Sequence, residues 1–111
     1  MTSEQFIQKM VAAFPEVKSI HDQHQADNDE LLPHVLMGDV TRYVISQTEN
    51  KSTPVITKLL DFFEQTLDDE EIEELISVSF VENLFGEDNT IKALRPIMGP
   101  KLANLFKKVS K

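Results

Sequence analysis

The densest group of ionisable side chains lies in "LDDEEIEEL", residues 67–75. Asp68, Asp69, Glu70, Glu71, Glu73 and Glu74 fill six of seven consecutive positions, interrupted only by Ile72. Paired carboxylates perform general acid–base hydrolysis, but that chemistry needs burial and two different environments. A run at the start of a helix supplies neither. Two other uses remain. Carboxylates in a first helical turn are welcomed by the helix dipole, and Asp68 as N-cap with Glu71 three residues on has the spacing of a capping box. That accounts for Asp68–Glu71. Glu73 and Glu74 lie beyond the first turn. Asp69–Glu73 and Glu70–Glu74 are like-charged pairs four apart, each costing a few tenths of a kcal/mol. Leu75, Ser77 and Val78 stand downstream, where a relieving Lys would serve stability. A solvated helix start and a surface kept for a cationic partner therefore both stand as readings.

The histidines offer less. His21 and His24 are three apart, on one face of a helix, with Asp22 and Asp27 close in sequence. This is a fragment of a zinc pattern without a third ligand at a recognisable spacing. They read as exposed surface histidines, and no metal is expected. His34 follows Pro33 and reads as a first-turn helix residue. The chain has no Cys, one Tyr and three Gly, with no G-x-S-x-G and no phosphate-cradling loop. No catalytic residue and no cofactor are expected. In "LMGDVTRYV", Asp39 and Arg42 are three apart, with Tyr43 alongside. The plain reading is an intrahelical ion pair. The sharper one makes Asp39, Arg42 and Tyr43 a secondary interface, since Arg and Tyr are frequent anchors.

Charge is polarised along the chain. Overall it is −8, yet residues 1–91 carry −14 and residues 92–111 carry +6. Between Lys58 and Lys92 stand eleven carboxylates and no base. Phosphate would be repelled by such a body, so direct nucleic-acid binding is not expected and a cationic protein partner is. The basic tail, with Lys92, Arg95, Lys101, Lys107, Lys108 and Lys111, has only Phe106 for base stacking. Lys101, Lys107 and Lys108 read instead as complementing the last helix dipole and lying across the acidic body. An amphipathic "GPKLANLFKKVSK" would suit a membrane surface, but anionic lipid is a poor match for the rest of the chain, and no membrane role is expected. The first ten residues include Glu4 and Lys9, and no apolar run approaches a bilayer's span. A cytoplasmic protein is the expectation; its oligomeric state is left open.

The elements that must position these groups are helical almost throughout. At 111 residues the chain is expected to form one domain, residues 1–111, all-α, with about six helices stacked as antiparallel hairpins. Phe6, Ile7, Met10, Val11 and Phe14 share a stripe over residues 3–14, which Pro15 re-aims. A short helix around Val17 and Ile20 then gives way to a loop, "QADNDE". Pro33 opens a helix carrying Leu36, Met37, Val40, Tyr43 and Val44, with a strand at Tyr43–Ile45 as the local ambiguity. After the loop "ENKST", Thr53 caps and Pro54 begins a helix burying Val55, Ile56, Leu59, Leu60, Phe63 and Leu67. Ile72, Leu75, Ile76, Phe80 and Leu84 form the next stripe, which Gly86 stops. A short helix from Asp88 or Asn89 runs to "RPIMGP", and Pro100 opens the last, with Leu102, Leu105, Phe106 and Val109 inward.

The order "LPHVLMGDVTRYV", "VITKLLDFFEQTL", "EEIEELISVSFVENLFG" resembles small all-helical immunity proteins of bacterial contact-dependent growth inhibition and polymorphic-toxin systems. The likeness covers residues 31–85 and, more loosely, the whole length. It implies a non-enzymatic protein that binds one cognate toxin domain, often a nuclease, and covers its active site. The likeness assigns no contact residues. The charge pattern suggests Asp68, Asp69, Glu70, Glu71, Glu73 and Glu74, joined by Asp61, Glu64 and Glu82 if the neighbouring helices form a hairpin. An adaptor domain for another basic protein is the alternative, and a small metal-dependent hydrolase using His21 and His24 is the enzymatic one.

Overall fold

A computed structural model describes residues 1–51 and 53–109, except for the side chain of Thr53. The capping role expected of Thr53, Ser52 of the preceding loop, and Lys111 of the basic tail lie outside the described residues. Among the described residues there are seven helices and no strand.

Helix α1, Ser3–Ala13, buries Phe6, Ile7 and Met10. Its start is fixed by a reciprocal capping box. The Gln5 N–H donates to Thr2 Oγ1 at 3.1 Å, and the Thr2 N–H donates to Gln5 Oε1 at 2.9 Å. Phe14, preceding a proline, takes an extended conformation (φ −129°, ψ 103°), and Pro15 becomes the first residue of α2, Pro15–Asn28. This helix overruns the expected loop: "QADN" is helical, and Asp29 ends it in the left-handed region with φ 61°. Four residues then lead to α3, Pro33–Glu49, which runs straight through Tyr43–Ile45 and removes the strand ambiguity. Helix α4 is Thr53–Thr66.

The acidic stretch opens α5, a composite helix. It is α-helical over Glu70–Ile76, π-helical over Ser77–Val81 and α-helical again over Glu82–Leu84. The wider π turn leaves backbone acceptors without their usual i+4 donors. Ser79 O is served from the side, accepting from Thr41 Oγ1 at 2.9 Å and Asn83 Nδ2 at 2.7 Å. A π turn packed against α3 is thereby stitched to it. Gly86, at φ 96°, provides the turn after α5 as expected. Helix α6, Asp88–Leu94, closes with a 3₁₀ turn, Arg95–Ile97, and α7 is Pro100–Val109.

Consecutive helices α1 to α4 pack on one another in chain order, as helical hairpins do; α7 lies on α4 and on the π turn of α5, and α5 on α1 and α3. Their stripes meet in one cluster of buried side chains. Its aromatic centre stacks Phe6 on Phe62 at 5.3 Å and sets Phe63 edge-on to Phe80 at 5.1 Å. The radius of gyration, 13.1 Å, is that of a close-packed chain of this length. Among the described residues, no helix is long and apolar enough to cross a membrane.

Candidate protein-binding surface

The fold divides the acidic stretch into two populations. The first is taken up by the protein itself. Asp69, not Asp68, is the N-cap of α5: its backbone is extended and Oδ1 accepts the Glu71 N–H at 3.1 Å. The other oxygen of Asp69 pairs with the ammonium of Met1 at 2.7 Å. That hydrogen bond, foremost, holds the Asp69 carboxyl below its ordinary value, with smaller help from the Glu71 and Ile72 amides. Glu71 does not complete a capping box; it accepts the Ser3 N–H instead. The N-terminus of α1 is thus tied to the start of α5.

Asp68, displaced from the cap, pairs with Lys101 at 2.8 Å, and Glu73 pairs with Lys108 at 3.2 Å. The basic tail does lie across the acidic body, though Lys101 sits in the first turn of α7 and not near its C-terminus. Glu64 has a further role. Its Oε2 accepts the Lys101 N–H at 2.8 Å and its Oε1 the Leu102 N–H at 2.9 Å, so a carboxylate on α4 caps α7. This approach requires Gly99, since a Cβ there would stand 2.6 Å from Glu64 Oε1. Asp61 Oδ2 accepts from Gln65 Nε2 at 2.9 Å, one turn along α4.

The second population is Glu70, Glu74 and Glu82. All three are exposed, and none makes a hydrogen bond or ion pair with a described residue. Their spacing follows α5: Glu70, Glu74, then Val78, then Glu82. Residues four apart drift around an α-helix, which has 3.6 per turn. The π turn, Ser77–Val81, takes more residues per revolution and offsets that drift between Val78 and Glu82, and all four side chains are exposed. Val78 is 44% exposed, and Phe85, just past the helix, is 41% exposed.

The secondary surface is formed by two helices. Asp39, Arg42 and Tyr43 on α3 face Ser19, Ile20, Gln23 and Asp27 of α2 across a groove of about 420 Å³. Arg42 donates to Asp39, as its spacing suggests. Tyr43 is partly buried; desolvation first, and Glu16 second, push its phenol above the usual range.

The histidines correct the sequence reading. His24 is buried, not on the surface. Its Nε2 accepts the Leu32 N–H at 2.9 Å, and its carbonyl accepts from Asn28 Nδ2 at 2.9 Å, which pins the α2–α3 connection. His21 is mostly covered, with Nδ1 3.4 Å from Asp22. Asp22 is held below the usual carboxylate range by Lys18 first and His21 second. His34 reaches across to α5, where Nδ1 is in hydrogen-bond contact with Ser79 Oγ. Among the described residues, no group of three or more His, Asp or Glu is placed to hold a metal. The zinc fragment is also engaged otherwise, because His24 Nε2 already serves Leu32.

Some of these roles have a local sequence signal. "TSEQ" has capping-box spacing at the chain's start, and "GP" before the last helix marks the close approach that Glu64 exploits. The N-terminal ammonium on Asp69, His24 on Leu32 and the π turn have no local sequence signal, since each depends on packing.

Taken together, the molecule is an all-α domain with an acid-rich surface that is neutralised on one side of α5 and open on the other. It belongs to the family described as a domain of unknown function (DUF7674), whose match spans residues 7–111. No curated protein and no solved structure matches the chain.

Proposed function

We propose that this domain is a non-enzymatic immunity protein that binds a cationic toxin domain, of which a nuclease is the best fit, and covers its active site. One observation carries the binding half of the proposal: the row Glu70, Glu74, Glu82 is left unpaired beside acids that the fold neutralises. Carboxylates four apart on one helix repel each other by a few tenths of a kcal/mol. A helix under selection for stability alone would relieve that repulsion, as Lys101 and Lys108 relieve Asp68 and Glu73. The toxin half rests on the resemblance in segment order. A nuclease that grips phosphate exposes Lys, Arg and His, and an acidic row meets such a groove with complementary charge. It also steers capture, raising association toward ~10⁸ M⁻¹s⁻¹ at low salt.

The test is the triple reversal Glu70→Lys, Glu74→Lys, Glu82→Lys, measured against the toxin domain that co-purifies from the native host. Association should slow by about tenfold or more at low salt, while the wild-type rate should fall as salt rises. An unchanged rate overturns the assignment of the row. A captured partner that is basic but harmless to cells lacking the domain would move the reading to an adaptor.

A further inference from the structure

Among the described residues only four large apolar side chains are substantially exposed: Met1, Val35, Val78 and Phe85. Two of them lie on helices that touch each other. His34 of α3 touches Ser79 of α5, so Val35 and Val78 stand one residue to either side of that contact. They are 48% and 44% exposed, on different helices, 43 positions apart in the chain. Val78 is also the third position of the acidic row, between Glu74 and Glu82, and Phe85 lies one turn beyond Glu82. Exposed apolar side chains thus stand within and beside a line of carboxylates, next to a hydrogen-bonded crossing of two helices. Beneath it, Thr41 and Asn83 both bond Ser79 O, and Ser79 is itself buried. Scattered apolar residues on a surface are ordinary, but apolar side chains rimmed by charge of one sign have the anatomy of an interface centre.

We infer that Val35 and Val78, with His34 between their helices, form the anchoring centre of the acidic surface. They take one large apolar or aromatic side chain of a basic protein partner whose flanking Lys or Arg residues lie on Glu70, Glu74 and Glu82. This rests on the functional reading above and adds to it the chemistry of the partner's contact: a cationic segment interrupted by an anchor. The two parts act on different rates. The carboxylates govern encounter, and the valines govern residence.

Two synthetic dodecapeptides test this without knowledge of the natural partner. Both are Lys/Arg-rich; one carries a central Trp, and in the other that Trp is Ser. Binding is followed by the amide resonances of the full chain at low salt. The Trp peptide should bind about tenfold more tightly, with shifts centred on residues 34–35 and 74–85. The Val35→Ser, Val78→Ser double variant should erase that difference while still binding both peptides. Glu70→Lys, Glu74→Lys, Glu82→Lys should weaken both peptides alike. Equal affinity for the two peptides, or Trp-dependent shifts centred elsewhere, overturns the anchor and leaves the acidic row standing. If neither peptide binds, the basic-partner reading falls with it. Thermal unfolding of the double variant, expected within about 2 °C of wild type because both positions are half exposed, separates lost contact from lost fold.

Discussion

Asp68, Asp69, Glu71 and Glu73 differ from Glu70, Glu74 and Glu82 in nothing that residue type records, yet the fold treats them differently. The first four each have a cationic or backbone donor from a remote part of the chain: the Met1 ammonium, the Ser3 amide, Lys101 or Lys108. Glu64, one helix earlier, belongs with them through the α7 amides. The other three face water. The helix phase decides the division. Residues on the flank of α5 toward α1 and α7 find partners there, and the exposed Glu70, Glu74 and Glu82 find none among the described residues. Clustered acids are therefore not one feature. Part of the cluster is architecture, holding both ends of the chain against its middle, and part is surface free to be used.

The comparison predicts that the two populations respond oppositely to mutation. Removing the Glu64 carboxylate should have the largest effect on stability. Glu64→Ala strips two amides at the start of α7 of their acceptor and should cost about 1–2 kcal/mol in chemical denaturation. Gly99→Ala should cost a similar amount by pushing the carboxylate away, and the double variant should cost little more than either single one. Additive losses would show that Glu64 and Gly99 act independently and that the cap is not the reason for the glycine.

Asp69 comes next, and its effect is read through pH. Its folded-state value is depressed below the ordinary 3.8. Its contribution is therefore complete above that value and is lost as pH falls through the lower, folded one. Asn caps a helix about as well as Asp, so Asp69→Asn removes the charge and keeps the cap. The thermal midpoint of wild type should exceed that of Asp69→Asn at pH 5, and the gap should close as pH falls below the ordinary 3.8 and through the lower folded-state value. A gap that persists in acid would mean that the ammonium pair contributes nothing.

Why the sequence disclosed one half of this picture and concealed the other follows from range. Apolar stripes, prolines at helix starts and Gly86 after α5 are local signals, and the helices and their buried faces follow from them. Asp29 is local too, but its left-handed turn stands where a glycine would be expected, so α2 runs four residues into the expected loop. The N-cap shifted from Asp68 to Asp69 because two adjacent aspartates offer the same chemistry, and Lys101 on Asp68 breaks the tie from 33 positions away. His24 looked like surface because its helix has little apolar character. Only the folded chain brings the Leu32 amide to its ring. For the same reason the run Glu70, Glu74, Val78, Glu82 is partly visible as composition, while the π turn that carries Val78 is one that spacing alone does not announce.

A smaller effect sharpens the distinction on the open side. Glu74→Lys should raise stability by roughly 0.3–0.5 kcal/mol, because a Lys four residues after Glu70 converts a repulsive pair into an attractive one in the favoured orientation. The same change in the neutralised group, Glu73→Lys, faces Lys108 and should lower stability instead. If both substitutions destabilise, Glu74 has a partner that its exposure does not suggest, and the row is not free.

The smallest effect concerns the two lysines of α7. Lys101 and Lys108 are 47% and 73% exposed, and their partners Asp68 and Glu73 are 80% and 42% exposed. Pairs this wet gain little Coulomb energy and restrict two long side chains, so each should contribute a few tenths of a kcal/mol. Replacing both lysines by Met keeps their apolar stems over Leu67 and Leu105, which line the groove between the pairs. The melting midpoint should then shift by less than about 3 °C, and the shift should vanish in about 0.5 M salt. What the pairs do change is the field. With both lysines gone, Asp68 and Glu73 join the open row and the acidic surface widens by two charges. The doubly substituted protein should therefore capture a basic peptide faster than wild type although it is slightly less stable, a combination that a purely structural role for the lysines does not produce.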